Sequence, residues 1–266
     1  MPYPTPNGTP EGAGRHKKLL AAAGAVALAL LAFPSPAQAN HSWGGYHWAR
    51  TANPFTLQIG DNVSSQWDSA LSGASADWSK STVLDTTVVA GLSNPKNCRG
   101  TTGRVEVCNS TYGNNGWLGI ASISVTGGTH ITQGTVKLND TYFNTAQYNT
   151  PAWRNLVTCQ EVGHTFGLDH QDENFNNANL GTCMDYTNDP STNQHPNQHD
   201  YDQLVTIYSH LDSTSTVGSS PAVAPSVGNS PESWGTLVSG SRAERQSTYV
   251  RHFAGGTTVV THVYWA

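Results

Sequence analysis

Between residues 160 and 170 the chain reads Gln-Glu-Val-Gly-His-Thr-Phe-Gly-Leu-Asp-His. An amide, a carboxylate and two imidazoles are thus gathered in one short segment. Positions 160 and 164 are one helical turn apart and share a face. Glu161 stands beside residue 160 and reaches the same side at a slightly different angle. Gly167 has no Cβ and suits the left-handed conformation that stops helices, so the chain can reverse behind it. His170 then points back at residues 160 and 164. Three donors converge and a fourth position stays open, which is the layout of a catalytic zinc site rather than a closed structural one. Zinc held in this way brings the pKa of its bound water to about 7 and polarises a substrate carbonyl. Glu161 is placed to take that water's proton and hand it to a leaving amine.

The segment resembles the zinc motif of the metzincin peptidases, His-Glu-x-x-His-x-x-Gly-x-x-His. The match is at Glu161, His164, Gly167 and His170. Downstream, Gly181-Thr182-Cys183-Met184-Asp185-Tyr186 looks like the family's Met-turn, which would set Met184 beneath the metal. The distance from His170 to Met184 and a closing helix over about 200–211 are similar to the matrixin branch. The resemblance covers roughly residues 45–211. It implies a zinc-dependent endopeptidase that hydrolyses protein or peptide substrates, with Glu161 as general base and then acid. Zn2+ would be held by Gln160, His164 and His170, and Tyr186 would stand near the developing oxyanion.

One departure matters: Gln160 occupies the place of the first metal-binding His. An amide oxygen is a harder and weaker zinc ligand than imidazole. Gln160 ligates nonetheless, or another group such as His130, His195 or His199 supplies the third donor, or the site is degenerate. The last case leads to the alternative function, an inactive protein of metzincin fold serving as a secreted binding or adhesion module.

Four cysteines suit an oxidising compartment and allow three pairings. The local solution joins Cys98 to Cys108, around a small loop carrying Gly100 and Gly103, and Cys159 to Cys183. The second bridge would tie the active-site helix to the Met-turn, and its closure of roughly 24 residues is worth about 3 kcal/mol in the chain-entropy model. Asp172, Glu173, Asp185 and Asp189 form an oxygen-rich stretch that could take Ca2+. With no EF-hand pattern, a solvated loop is its default reading.

The elements that must position these groups follow from periodicity. Residues 53–60 alternate apolar and polar after a proline and read as a strand. Val63, Trp67, Ala70, Leu71, Ala74 and Trp78 mark a helix over 63–80. Residues 82–90 are β-branched and extended, 94–116 read as a loop, and 117–125 and 130–138 as two further strands. The stretch 117–124 is a candidate edge strand for pairing with an extended substrate. Thr150 and Pro151 open the key helix, which should end at Gly167. A long Asn- and Asp-rich loop spans 171–198. The expected fold is α+β and zincin-like: a mixed, mostly parallel sheet of about five strands, with the active-site helix, the Met-turn and a C-terminal helix.

Around this catalytic domain, 40–211, lie three other segments. Arg15, Lys17 and Lys18 precede an apolar run from Leu19 to Phe33 and then Ala37-Gln38-Ala39. That is an export signal over 1–39, cut before Asn40. The run of about 15 residues falls short of the roughly 20 needed to span a bilayer. Residues 212–231 are rich in Ser and Pro without periodicity and read as a flexible linker. Residues 232–266 hold two or three short strands, in a piece too small to be comfortable alone. Of the 266 residues, 36% are hydrophobic, 12% are charged and eight are Trp, which fits a packed core. Net charge is −5, and removal of residues 1–39 with Glu11, Arg15, Lys17 and Lys18 takes it to −7. No basic block is present to track a phosphate backbone, which argues against nucleic acid as a partner. The expectation is a secreted, extracellular monomer with no membrane attachment once the signal is cut.

Overall fold

The computed structural model describes residues 41–218 and 225–266. The export signal expected over 1–39 and part of the linker lie outside the described residues. The chain runs through β1 (His47–Trp48), β2 (Phe55–Asn62), α1 (Asp68–Trp78), β3 (Leu84–Ala90), β4 (Val105–Ser110), β5 (Trp117–Thr126), β6 (His130–Asn139) and α2 (Asp140–Phe143). It continues through α3 (Pro151–His164), α4 (Gln198–Ile207), α5 (Pro231–Trp234), β7 (Thr236–Ser241), β8 (Gln246–His252) and β9 (Thr258–Trp265).

All the strands join one sheet of nine, ordered β3-β2-β4-β6-β5-β9-β8-β7, with β1 pairing separately with β6. The β1–β6, β2–β3, β2–β4 and β4–β6 pairs are parallel, and the pairs from β6–β5 onward are antiparallel. The five-stranded, zincin-like architecture expected from the sequence is therefore corrected: strand outweighs helix, and the sheet is nearly twice as wide. Two physical reasons account for the difference. First, Val105 to Asn109 of β4 are all buried, so the strand carries no in-and-out alternation to separate it from a loop. Second, the C-terminal segment does not stand apart. A bare β5 edge would present unpaired backbone groups, and β9 covers it along its whole length. β5 is thus paired on both sides and is not the edge strand expected from the sequence.

The faces of β9 follow from its alternation. Val260 and Tyr264 enter the main core with α1 and α3, while Val259, Val263 and Trp265 turn to a second core with Trp117, Ile120, Val227 and Trp234. The described ends of the linker are tied to the body: Asp212 N–H donates to Arg50 O (2.9 Å), Thr216 N–H to Ala49 O (2.9 Å) and Gly218 N–H to Gly103 O (3.0 Å). On the second face Lys137 is buried, and its ammonium donates to Val227 O (3.3 Å), Gly228 O (3.3 Å) and Asn229 Oδ1 (2.7 Å). Burial lowers the Lys137 pKa to about 8. Both disulfides are those expected, Cys98–Cys108 and Cys159–Cys183, and they fit an oxidising setting. Among the described residues no helix is long and apolar enough to cross a membrane.

Candidate metal centre

α3 carries the chemistry, and its start and stop are local. The Thr150 hydroxyl accepts from Trp153 N–H, and Pro151 takes the first turn. After His164 the chain turns through Gly167 at φ +93°, where an added Cβ would also run into Tyr46 O. Only glycine satisfies both demands. The reversal brings His170 back onto His164, with ring centroids 4.5 Å apart. Behind them Gln171 N–H donates to Met184 O (2.7 Å) and Tyr186 N–H to Asp172 O (3.2 Å), so the Met184 turn is zipped to the chain that leaves His170. Met184 is fully buried, its sulfur set against Gly163 of α3.

The third imidazole at this point comes from β9. A ring nitrogen from each of His164, His170 and His262 lies within 4.8 Å of the others. The His262 ring is 4.3 Å from that of His164 and 4.6 Å from that of His170, centroid to centroid. In the ladder His262 stands opposite Ala121. Glu161 packs over the neighbouring Gly119: an added Cβ there would meet Glu161 Oε1 at 2.6 Å and Val157 Cγ1 at 2.7 Å. The centre is enclosed, with Gln160 and Glu161 at 0% exposure, His164 at 1%, His262 at 2% and His170 at 7%.

The three histidines offered as alternative third donors go elsewhere. His195 Nδ1 meets Asp77 Oδ2 at 2.6 Å. His199 stacks on His41 with centroids 4.9 Å apart. His130 stands beside Asp212, 3.2 Å away. His262 escaped sequence reasoning because it belongs to another segment, far along the chain. One signal was present: a lone imidazole in the otherwise apolar and β-branched run Val259–Trp265 must be buried, and a buried polar group needs a partner. Of the oxygen-rich residues, Asp172 and Asp185 meet in a parallel bridge, but their carboxylates are engaged locally. Asp172 caps Asn174 N–H (2.7 Å), Asp185 accepts from Leu180 N–H (2.8 Å) and Asn193 Nδ2 (2.8 Å), and Asp189 caps Ser191 N–H (3.0 Å). Glu173 instead accepts from Gln246 Nε2 (3.2 Å).

The donor set fits a metal ion. His164 Nε2, His170 Nε2, both Glu161 carboxyl oxygens and both amide atoms of Gln160 are buried with no hydrogen-bond partner. Leaving such a group unpaired costs about 1–3 kcal/mol, and a cation among them would satisfy several at once. His164 Nδ1 donates to Leu168 O (2.8 Å), which leaves the Nε2 lone pair free. Burial, reinforced by the neighbouring His170, lowers the His164 pKa to about 3. Burial, with His164 and His170 beside it, also holds His262 well below its ordinary value. Both rings are therefore neutral, the state in which imidazole ligates. Burial opposes charge on His170 too, but Asp169 (3.3 Å) and Glu173 (3.7 Å) outweigh it and raise its pKa to about 9, so a metal at Nε2 would have to displace a proton there while Nδ1 keeps its carboxylate partners. Burial drives the Glu161 carboxyl well above the usual range, and the charge of His170 offsets this only in part. The Tyr186 hydroxyl is bonded to His262 Nε2 (2.7 Å).

No protein-family model matches the chain, and no curated protein matches it in sequence.

Proposed function

We propose that this chain is a secreted zinc-dependent endopeptidase whose metal is held by His164, His170 and His262. The proposal rests on one observation: three imidazoles converge near a fully buried carboxyl, Glu161, that no ion pair neutralises. The metzincin-like spacing of Glu161, His164, Gly167 and His170 supports the same reading. His262 answers the departure at Gln160, since it restores a third nitrogen donor from another strand. Bound there, zinc would supply Lewis-acid polarisation of a peptide carbonyl and would acidify a water.

The chain's own residues have separate tasks. Glu161 is the group that takes a proton from water and gives it to the leaving amine, and its raised pKa suits that return step. Leu168 O, the Asp169 and Glu173 carboxylates, and the Tyr186 hydroxyl fix the three rings from outside. β9 pairs with β5 along the ladder, so β5 offers no free edge to an extended substrate. A cavity of about 230 Å³ opens beside β9, lined by Trp43, Tyr46, Asp169, Glu173, Val238 and Val250. It reaches the residues that contact His164 and His170, and it is the approach for a substrate side chain.

A second reading draws on the enclosure: a secreted, metal-stabilised binding module without catalysis. Zinc content and casein hydrolysis separate the two. Hydrolysis that disappears in Glu161→Ala, with zinc retained, supports the enzyme. Zinc without hydrolysis supports the module. A wild-type chain whose zinc content is unchanged by His262→Ala would remove the proposed centre.

A further inference from the structure

A second group of histidines lies away from this centre, where β1, the start of β6 and the chain after α4 meet. His47 is on β1, His130 is the first residue of β6 and stands beside it in the ladder, and His210 and Asp212 follow α4. All three Nε2 atoms face one oxygen. Asp212 Oδ1 is 3.2 Å from His130 Nε2, 3.6 Å from His47 Nε2 and 3.7 Å from His210 Nε2. His210 Nε2 and His47 Nε2 are 3.2 Å apart. For a tetrahedral zinc ion, with bonds of about 2.0–2.2 Å, neighbouring donors stand about 3.3–3.6 Å apart. These four separations bracket that value; His47, His130 and Asp212 form a group whose donor atoms all lie within 4.8 Å of one another, and His210 closes on His47 and Asp212 from the exposed side.

The surroundings prepare these atoms as donors. His47 Nδ1 lies 3.0 Å from Gly45 O, a carbonyl that can only accept. The proton of a neutral His47 is thus on Nδ1, and Nε2 presents its lone pair. Asp212 is held by its other oxygen: Oδ2 accepts from Arg50 Nη1 (2.9 Å) and from Arg50 N–H (3.2 Å), which leaves Oδ1 for the cluster. Arg50 also donates to His210 O, fixing the backbone between the last two donors. Access is open on one side: His47 and Asp212 are 7% and 10% exposed, whereas His130 and His210 are 34% and 51% exposed.

We propose that His47, His130, His210 and Asp212 form a second zinc site, closed and structural. Three imidazoles with one carboxylate suit Zn2+ and disfavour the hard cations Ca2+ and Mg2+. The ion joins β1, the start of β6 and the chain beyond α4, three segments distant in sequence. With four protein donors it leaves no position for substrate.

The test is zinc titration of the metal-stripped full chain, read by metal content and by melting temperature. About two equivalents should bind, one at each cluster. A chain carrying His164→Ala and His170→Ala should still take up one equivalent and melt higher with zinc. His210→Ala removes a half-exposed ring and leaves the fold intact; it should weaken the corresponding binding event by more than about 100-fold, beyond the 10–100-fold lost with an outer-shell partner. Should the His164/His170 variant fail to fold, cobalt(II) titration of the otherwise native chain reads the same point, because His210→Ala must then remove one of two tetrahedral visible spectra. Unchanged zinc content and unchanged cobalt spectra in His210→Ala would overturn the site and leave the four residues as a hydrogen-bonded group only.

Discussion

The two histidine clusters are built from similar parts and differ in what surrounds them. At the second, His47, His130 and His210 are joined by a carboxylate that Arg50 has turned toward them, so charge and donor number close on themselves. At the first, Glu161 is not among the grouped donors: it is buried over Gly119 with no ion pair, while Asp169 and Glu173 face His170 from outside. The first also lies inside the main core, while two rings of the second reach solvent. A carboxylate spent on coordination makes a staple. One withheld from coordination, with its pKa pushed up by burial, is a proton carrier in waiting. Under the proposed reading, one cluster would serve chemistry and the other architecture.

The sharpest way to break that contrast is Glu161→Ala, which should lower peptide hydrolysis by about 10²–10⁴-fold with zinc content unchanged. Parallel loss of zinc would mean that Glu161 is a ligand and that the clusters are alike. Next in size is His262→Ala. Zinc at about 1,000 times its Kd stabilises a chain by about 4 kcal/mol, so this variant should shed one equivalent and melt like the chelated first site. Reduction-proof removal of the bridge that anchors this centre, Cys159→Ala with Cys183→Ala, should cost about 3 kcal/mol in denaturant unfolding. Gly119→Ala is smaller in stability, about 1–3 kcal/mol by overpacking, and its added carbon displaces Glu161. Activity should fall further than stability, and an equal fall would separate Glu161 from the chemistry.

The smallest effect is a control away from both clusters. Lys137 titrates at about 8 in the folded chain and near 10.4 when unfolded. Below pH 8 both states are protonated and the cost of burial is present in full. Between those values the unfolded state binds more protons, so stability rises with pH. A gain of about 1 kcal/mol, or about 2–4 °C in melting temperature, is expected between pH 7 and pH 9. Lys137→Met should abolish it, and an undiminished rise would place the titration elsewhere.

Much of the first centre was legible because it is local. Spacing places Glu161, His164 and His170 along one helix and its bend, and Gly167 stops that helix where its φ of +93° requires. Cys159 and Cys183 pair as neighbours in sequence suggest. What could not be read is non-local. His262 reaches the site only because β9 docks on β5, and a pairing of that range leaves no periodic trace near α3. β4 was missed because both its faces are buried, and α4 starts before Asp200 because Asn197 and Asp200 form its capping box. The second cluster was invisible for the same reason as His262: its four members come from separated segments, and singly each reads as an ordinary surface histidine or acid.

The placement of His262 on β9 has a thermodynamic corollary. A ligand supplied by a docked strand makes occupancy of the centre and docking of the strand two readings of one equilibrium, and linkage requires each to strengthen the other by the same factor. Zinc bound there as proposed would then act as the clasp of the C-terminal sheet. Whatever loosens β7, β8 or β9, even a nick far from the histidines, should appear first as metal leaking away.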